Sequence, residues 1–318
     1  MKTRIWLNLD PKKVDVSHLY QRFDEMGCEF TAEAVDKGDR ESMLTHAMNA
    51  DIIIATMEPY DEEIFSRIEG KVRFIQKYGT GLDTIDLAAA SRHGIPVANV
   101  PGANAAAVAE IAMLHILNLG RKFVPCVTGV KKGIWPSTIT GSELDGKTVG
   151  LLGYGKVARH LARMLSGFEV RILAYDPFVE KDPEGRAELV ESEEELFRRS
   201  DIVSLHIPCT AETAGTINRD LFCQMKEGSL LVNTCRGGVV NEKDLAQALR
   251  NGTIAAAGLD VLTDEPPKED NELMKMDNVF ISSHMGAASF ESELRSQIFM
   301  ADNIEKFLNG GKPDSVRS

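Results

Sequence analysis

The sequence predicts an α/β protein built on open parallel sheets, and two observations carry that prediction. Residues before about 100 alternate short apolar runs with helical patterns. The stretch KTVGLLGYGKVARHLA, Lys147 to Ala162, then reads as a strand, a glycine turn and a helix in succession.

In the first part, strands are expected at Arg4–Asn8, Asp51–Ala55, Val72–Lys77 and Pro96–Ala98. Helices are expected around Val16–Met26, Arg40–Met48, Glu62–Ile68 and Ile85–Arg92. The third strand ends in KYGTGLDTID, which puts Gly79 and Gly81 at a carboxyl strand end, where open α/β sheets place ligands. Such a loop can offer backbone N–H groups to an anion. A plain glycine turn into the Ile85 helix accounts for these residues equally well. A long apolar helix from Ala103 to about Leu119 follows, and its character suggests packing between domains or subunits. His115 within it reads as a packed core side chain. Lys131 to Gly146, with Trp135 and Pro136, is a looser segment.

In the central stretch, Thr148–Leu152 is a buried strand that breaks at Gly153, and Gly155 opens a helix with Val157, Leu161 and Leu165 on one face. Glycines there let the backbone approach a pyrophosphate held against the N–H groups of the new helix. Ala158 takes the third position of G-x-G-x-x-G, small enough for the helix to lie near the sheet. The next strand, Val170–Tyr175, ends in Asp176, placed to bind a ribose 2′-hydroxyl. An unliganded βαβ unit, or a methyltransferase with an acidic ribose contact, would share parts of this pattern. Beyond Asp176 come a helix at Ser192–Arg199, strands at Ile202–His206, Ser229–Thr234, Ala255–Asp260 and Phe280–Ser282, and a last helix from Phe290 to Leu308 closed by Gly310 and Gly311.

Composition narrows the partners. The 318 residues carry a formal charge of −12, which argues against nucleic acid. Five dispersed cysteines without a C-x-x-C pair point to a reducing compartment, with neither a disulfide framework nor a metal site. The N-terminus lacks a signal-peptide h-region, and the longest apolar stretch is broken by Asn104, Glu110, His115 and Asn118. A cytoplasmic protein with no membrane partner is expected.

Three polar residues stand just beyond predicted strands: Arg236 in TCRGG, Glu265 in GLDVLTDEP and His284 in ISSHMGA. Carboxyl ends of parallel strands share one crevice, so residues distant in sequence can meet there. An arginine binds a carboxylate through paired charge-assisted hydrogen bonds and can polarise a carbonyl. A histidine gives or takes the hydroxyl proton. A glutamate on the far imidazole nitrogen fixes the ring and favours its protonated form. Together these match hydride exchange at a carbonyl. Each alone has a plainer reading: a solvated turn for Arg236, a surface loop for Glu265, a backbone cap for His284.

Taken together, the motifs resemble the D-isomer-specific 2-hydroxyacid dehydrogenase family over nearly the whole chain. KYGTGLDTID is similar to its substrate loop, ANVPGANAAAVAE to the start of its interdomain helix, and GLLGYGKVA to its cofactor turn. VNTCRGGVVNEKDL, GLDVLTDEP and SSHMGA are similar to the segments bearing its Arg, Glu and His. The resemblance implies a Rossmann-type NAD domain, residues 101–286, inserted into a flavodoxin-like substrate domain, residues 1–100 plus 287–318. It implies a homodimer acting on a small 2-hydroxy or 2-keto acid, with Arg236, Glu265 and His284 catalytic. Thr80, Gly153, Gly155, Lys156, Val157, Asp176, Pro208, Thr234 and Asp260 fall at cofactor positions, and Tyr78, Gly79, Gly81 and Arg236 at substrate positions.

Asp176 followed by Pro177 favours NAD over NADP, because its carboxylate repels a 2′-phosphate. Ser283 stands where the family usually has proline, so the approach to His284 is expected to be looser. Ala55 falls where phosphoglycerate-specific members are expected to carry arginine, which favours small unphosphorylated acids such as glyoxylate or hydroxypyruvate over D-3-phosphoglycerate. Side-chain selection is expected around Met57, Tyr60, Tyr78 and Met285. Glu265 disfavours formate dehydrogenase, whose version has glutamine there. An NAD-sensing corepressor-like scaffold keeps the same three residues and is the alternative from another class. Cys209 and Cys235 are expected beside the cofactor as small packed residues.

Overall fold

The computed structural model describes residues 2–36, 38–135 and 138–318, which leaves Pro136 outside the described residues. The chain divides into two compact units, Met1–Asn104 with Ser289–Ser318, and Ala105–Ala288.

Among the described residues of the first unit, five parallel strands form one sheet: β1 (Arg4–Leu7), β2 (Glu29–Ala32), β3 (Ile52–Ala55), β4 (Phe74–Lys77) and β5 (Val97–Ala98). Their order, β2-β1-β3-β4-β5, is the flavodoxin-like arrangement. Every residue of β3 is buried, as a strand covered on both faces requires. The intervening helices are α1 (Ser17–Glu25), α2 (Arg40–Met48), α3 (Glu62–Ile68) and α4 (Leu87–Arg92). Asp39, Asp61 and Asp86 cap the last three by accepting from backbone N–H groups of the first turn. β2 was not legible as a strand: Glu29, Phe30 and Thr31 stay at least partly exposed at the sheet edge, so no apolar run marks them.

The C-terminal helix, Phe290–Leu308, packs on α1 and β4 of this unit, burying Met300, Ala301 and Ile304 beside Leu19, Phe23 and Phe74. Asn303 on that helix is also buried. Its Nδ2 donates to Gln76 Oε1 at 2.8 Å, and its Oδ1 accepts from the Asp314 N–H at 2.6 Å. The following tail bridges to β5 at Ala98–Val316, and Ser315 Oγ donates to Asn99 Oδ1 at 2.5 Å. Asn99 Nδ2 in turn holds the Thr80 carbonyl at 2.7 Å.

In the second unit the described residues form a seven-stranded parallel sheet. It opens with two helices, α5 (Ala105–Arg121) and α6 (Phe123–Lys131), then β6 (Thr148–Leu152), α7 (Lys156–Leu165), β7 (Arg171–Tyr175), β8 (Glu188–Leu189), α8 (Glu193–Arg199) and β9 (Ile202–Leu205). α9 (Arg219–Phe222), β10 (Ser229–Asn233), α10 (Glu242–Arg250), β11 (Ile254–Leu259) and β12 (Val279–Ile281) complete it. The order β12-β11-β10-β9-β6-β7-β8 reverses between β6 and β9, the Rossmann switch point. α5 packs on α7, β10 and β11 inside its own unit. It stops where Lys122 enters the left-handed region (φ +50°), and α6 begins there, a helix the sequence pattern did not separate. Among the described residues no helix is long and apolar enough to cross a membrane.

Truncation by Asn303→Ala would strip Gln76 and Asp314 of a buried partner. A loss of about 1–3 kcal/mol is expected, the penalty of leaving such groups unsatisfied. The urea midpoint measures it, and a midpoint equal to wild type would contradict the assignment.

Candidate active site

β10, β11 and β12 are neighbours and parallel, so the loops carrying Arg236, Glu265 and His284 leave the sheet along one edge. Asn233, buried at the end of β10, folds the first loop: its Oδ1 accepts from the Cys235 N–H at 3.0 Å and its Nδ2 donates to the Arg236 carbonyl at 2.9 Å. The half-buried Arg236 side chain donates from Nη1 to the Cys235 carbonyl at 2.7 Å. Gly237 presses this loop against the next. A Cβ there would stand 2.0 Å from the Leu262 carbonyl carbon, so only glycine permits the approach.

The second and third loops meet side chain to side chain. Glu265 Oε1 accepts from the Leu262 N–H at 3.0 Å, and Oε2 lies 2.7 Å from His284 Nδ1. The glutamate is therefore anchored before it orients the imidazole, and Nε2 remains as the nitrogen for proton exchange. His284 sits in the left-handed region (φ +53°), which costs a side-chain-bearing residue roughly 1–2 kcal/mol. Asp260 holds it there. The buried Asp260 carboxylate accepts from Ser282 Oγ (2.6 Å), the Met285 N–H (2.9 Å) and the Gly286 N–H (2.7 Å), while its carbonyl accepts the His284 N–H at 2.8 Å. The looser approach expected from Ser283 is thus corrected: bonds to Asp260 on both sides of that residue pin the segment.

The glycine turn after β6 lies at the switch point. Gly153 (φ +84°) passes so close to the β9 loop that a Cβ would stand 2.6 Å from the His206 carbonyl oxygen. A Cβ on Gly155 would meet nothing within 4 Å, which leaves open space above the turn. Asp176 braces it, accepting the Tyr154 N–H through Oδ2 (2.8 Å) and the Phe178 N–H through Oδ1 (2.9 Å). Each oxygen keeps a second lone pair for a ligand hydroxyl. Lys156 and Val157 begin α7, whose N-cap Gly155 offers no capping side chain, so the first-turn N–H groups suit an anion. Beyond the neighbouring strands β9 and β10, His206 Nε2 and Thr234 Oγ1 are buried without a partner among the described residues. Burial pushes the His206 imidazole down to about 4, so it is neutral. Buried polar atoms of this kind fit a polar ligand such as the ribose–nicotinamide end of a dinucleotide. Pro208 follows at the surface, its carbonyl accepting from Thr213 Oγ1 at 2.6 Å.

Tyr78, Gly79, Thr80 and Gly81 belong to the first unit, after β4. Gly79 has φ +116°, and its carbonyl accepts the Val100 N–H at 2.9 Å. The Thr80 hydroxyl donates to the Val100 carbonyl at 2.8 Å. The Tyr78 hydroxyl donates to Glu293 Oε2 at 2.5 Å, and burial beside that carboxylate pushes the phenol well above its ordinary range. Tyr60 requires a correction. It is 1% exposed, packs with Ile64 and Phe65, and bonds Glu58, so it cannot select a substrate side chain. Met57 and Met285 are exposed. Cys209 and Cys235 pack on the second unit's core; burial raises the Cys235 thiol to about 11, and Sγ lies 3.1 Å from Asn233 Oδ1. His115 is buried, as expected. The roles of Asn233 and Ser282 escaped the sequence reading; a polar residue closing an apolar strand run was their only signal.

Comparison with known proteins identifies the family. Residues 113–286 match the family described as D-isomer specific 2-hydroxyacid dehydrogenase, NAD binding domain. A D-3-phosphoglycerate dehydrogenase of Archaeoglobus fulgidus is 37% identical over 81% of this chain, and the chain spans 49% of that longer protein. A hydroxypyruvate reductase of Thermotoga maritima is 33% identical over 96% of this chain and 98% of its own length. A crystal structure of a Thermus thermophilus protein superposes with a TM-score of 0.91 at 29% identity, over 99% of this chain and 100% of that one. A domain match over more than half the chain and an end-to-end relative lead to one conclusion: this protein belongs to the D-isomer specific 2-hydroxyacid dehydrogenase family.

Proposed function

We propose that the protein interconverts a D-2-hydroxy acid and its 2-keto acid with NAD, and that its substrate is a small unphosphorylated acid such as hydroxypyruvate or glyoxylate. The observation that carries this reading is the 2.7 Å pairing of His284 Nδ1 with a backbone-anchored Glu265. In reduction, His284 donates a proton from Nε2 to the carbonyl oxygen, and Glu265 at Nδ1 keeps the ring aimed. In oxidation the same nitrogen removes the hydroxyl proton. Arg236 binds the substrate carboxylate and polarises the carbonyl. The nicotinamide, when bound, supplies or accepts the hydride. Gly153, Gly155, Lys156 and Val157 receive the pyrophosphate at the start of α7, Asp176 the adenosine ribose, and Thr80, Pro208, Thr234 and Asp260 flank the rest of the cofactor. Tyr78, Gly79 and Gly81 frame the backbone N–H groups assigned to the substrate carboxylate.

Two features favour the small acids. Ala55, where an arginine would meet a phosphate, is a fully buried strand residue, and the hydroxypyruvate reductase matches the chain over nearly its full length. D-3-phosphoglycerate is the second reading, favoured by the 37% identity to the Archaeoglobus enzyme. The five unpaired thiols are consistent with a cytoplasmic setting. A homodimer is proposed through α6 and the residues after it: Phe123, Val124, Val130, Ile134 and Trp135 are apolar and exposed, and no residue of α6 is buried.

A kcat/KM panel with NADH across glyoxylate, hydroxypyruvate, longer 2-keto acids and 3-phosphohydroxypyruvate tests the substrate. Preference for the phosphorylated acid would establish the second reading, and reduction of none would favour the corepressor-like scaffold. His284→Ala should cut kcat by at least ~10²-fold, the usual contribution of a positioned general acid, with NADH binding by fluorescence titration unchanged. NADH should support reduction far better than NADPH, and Asp176→Ala should narrow that preference; equal kcat/KM for both cofactors in the wild type contradicts the role given to Asp176. Light scattering should return twice the 34.9 kDa chain mass, and Phe123→Asp should shift it toward the monomer. A wild-type monomer would dispose of the dimer.

A further inference from the structure

One buried polar group of the second unit has no place in the chemistry above. His115 lies on α5, 7% exposed, with Nε2 3.1 Å from Ser282 Oγ. Ser282 Oγ is itself 2.6 Å from Asp260 Oδ1, the oxygen that also accepts the Met285 N–H at 2.9 Å. A carboxylate oxygen only accepts, so the single hydroxyl hydrogen of Ser282 points to Asp260. The serine oxygen must then accept, and the hydrogen it accepts is on His115 Nε2. The chain of bonds has one direction: His115 to Ser282 to Asp260, whose other contacts hold the left-handed His284.

We propose that His115 is a positioning residue for the acid–base histidine, acting through Ser282 and Asp260. Packing supports the assignment independently of the hydrogen bonds. α5 reaches this depth because β11 carries glycine at 258: a Cβ there would stand 2.7 Å from His115 Nδ1. Asp260 comes two residues after Gly258, just past the end of β11, and continues its ladder by donating its N–H to the Asn233 carbonyl, so its side chain emerges on the face where Gly258 admits the ring. A Cβ on Gly286 would lie 3.4 Å from Val108 Cγ2 and 2.9 Å from Asp260 Oδ2. Val108 and His115 are seven residues apart, on one helix face. That face therefore abuts the His284 loop at its beginning, through Ser282, and at its end, through Gly286. Burial also depresses the His115 imidazole pKa against the opposing charge of Asp260, which keeps the ring a neutral single-hydrogen donor.

The inference rests on the proposed function only in treating His284 as the proton donor, and the test separates the two. In the full chain, His115→Leu keeps bulk but removes the donor, and His115→Gln returns an N–H near the Nε2 position. His115→Leu should lower kcat with NADH and hydroxypyruvate roughly tenfold, the effect of one lost hydrogen bond, with the KM for NADH unchanged. His115→Gln should recover most of the loss. In the protein without cofactor, the ¹⁵N imidazole resonances of His284, assigned by their loss in His284→Ala, should move or broaden in His115→Leu and return in His115→Gln. Ser282→Ala cuts the same link with a smaller change, and adding His115→Leu to it should cost nothing further. His284 resonances and kcat unchanged in both His115→Leu and Ser282→Ala would overturn the proposal, as would a fully additive double variant. If the wild type reduces no 2-keto acid, the proposed function falls, and the His284 resonances still decide the role of His115.

Discussion

The Asp260 carboxylate is the contact on which the placement of the His284 segment depends. A buried carboxylate is costly unless its oxygens are satisfied, and here Ser282 Oγ and two backbone N–H groups satisfy them. Those donors belong to the segment carrying His284. The requirement to pair a buried charge and the requirement to hold a strained histidine are met by the same bonds. Backbone bonds from Asp260 to Asn233 and from His284 to Asp260 extend the tie across the ends of three parallel strands.

Close backbone approach is the second requirement. Gly237 lets the Arg236 loop lie on the Leu262 carbonyl, Gly153 lets the cofactor turn lie on the His206 carbonyl, and Gly258 admits His115. Each is a place where two segments meet at a separation that a side chain would forbid. At Gly155, by contrast, a Cβ would meet nothing within 4 Å, which leaves open space above the turn.

Much of the candidate site was legible because parallel sheets impose a simple rule: strands share a direction, so polar residues just past their carboxyl ends share an edge. Arg236, Glu265 and His284 obey it, and so does Asp176. Tyr60 misled because residue type alone does not tell a ring that faces a pocket from one that packs with Ile64 and Phe65 and bonds Glu58 in the core. β2 and α6 were missed for opposite reasons. β2 is an edge strand without an apolar run, and α6 is separated from α5 only by a left-handed Lys122.

From its order of residues alone, this chain determined the alternation of strand and helix, the glycine turn with its acidic partner, and the identity of the three polar strand-end residues. These are local matters of spacing and residue type. Tertiary structure alone decided which groups hold them: Asp260 across two strand ends, Ser282 and His115 behind it, Asn233 inside its own turn, and Asn303 with Gln76 beneath the C-terminal helix. Such partnerships join residues up to 227 positions apart. They are set by which buried donors and acceptors come within hydrogen-bonding reach once the sheets close, a condition no linear spacing encodes.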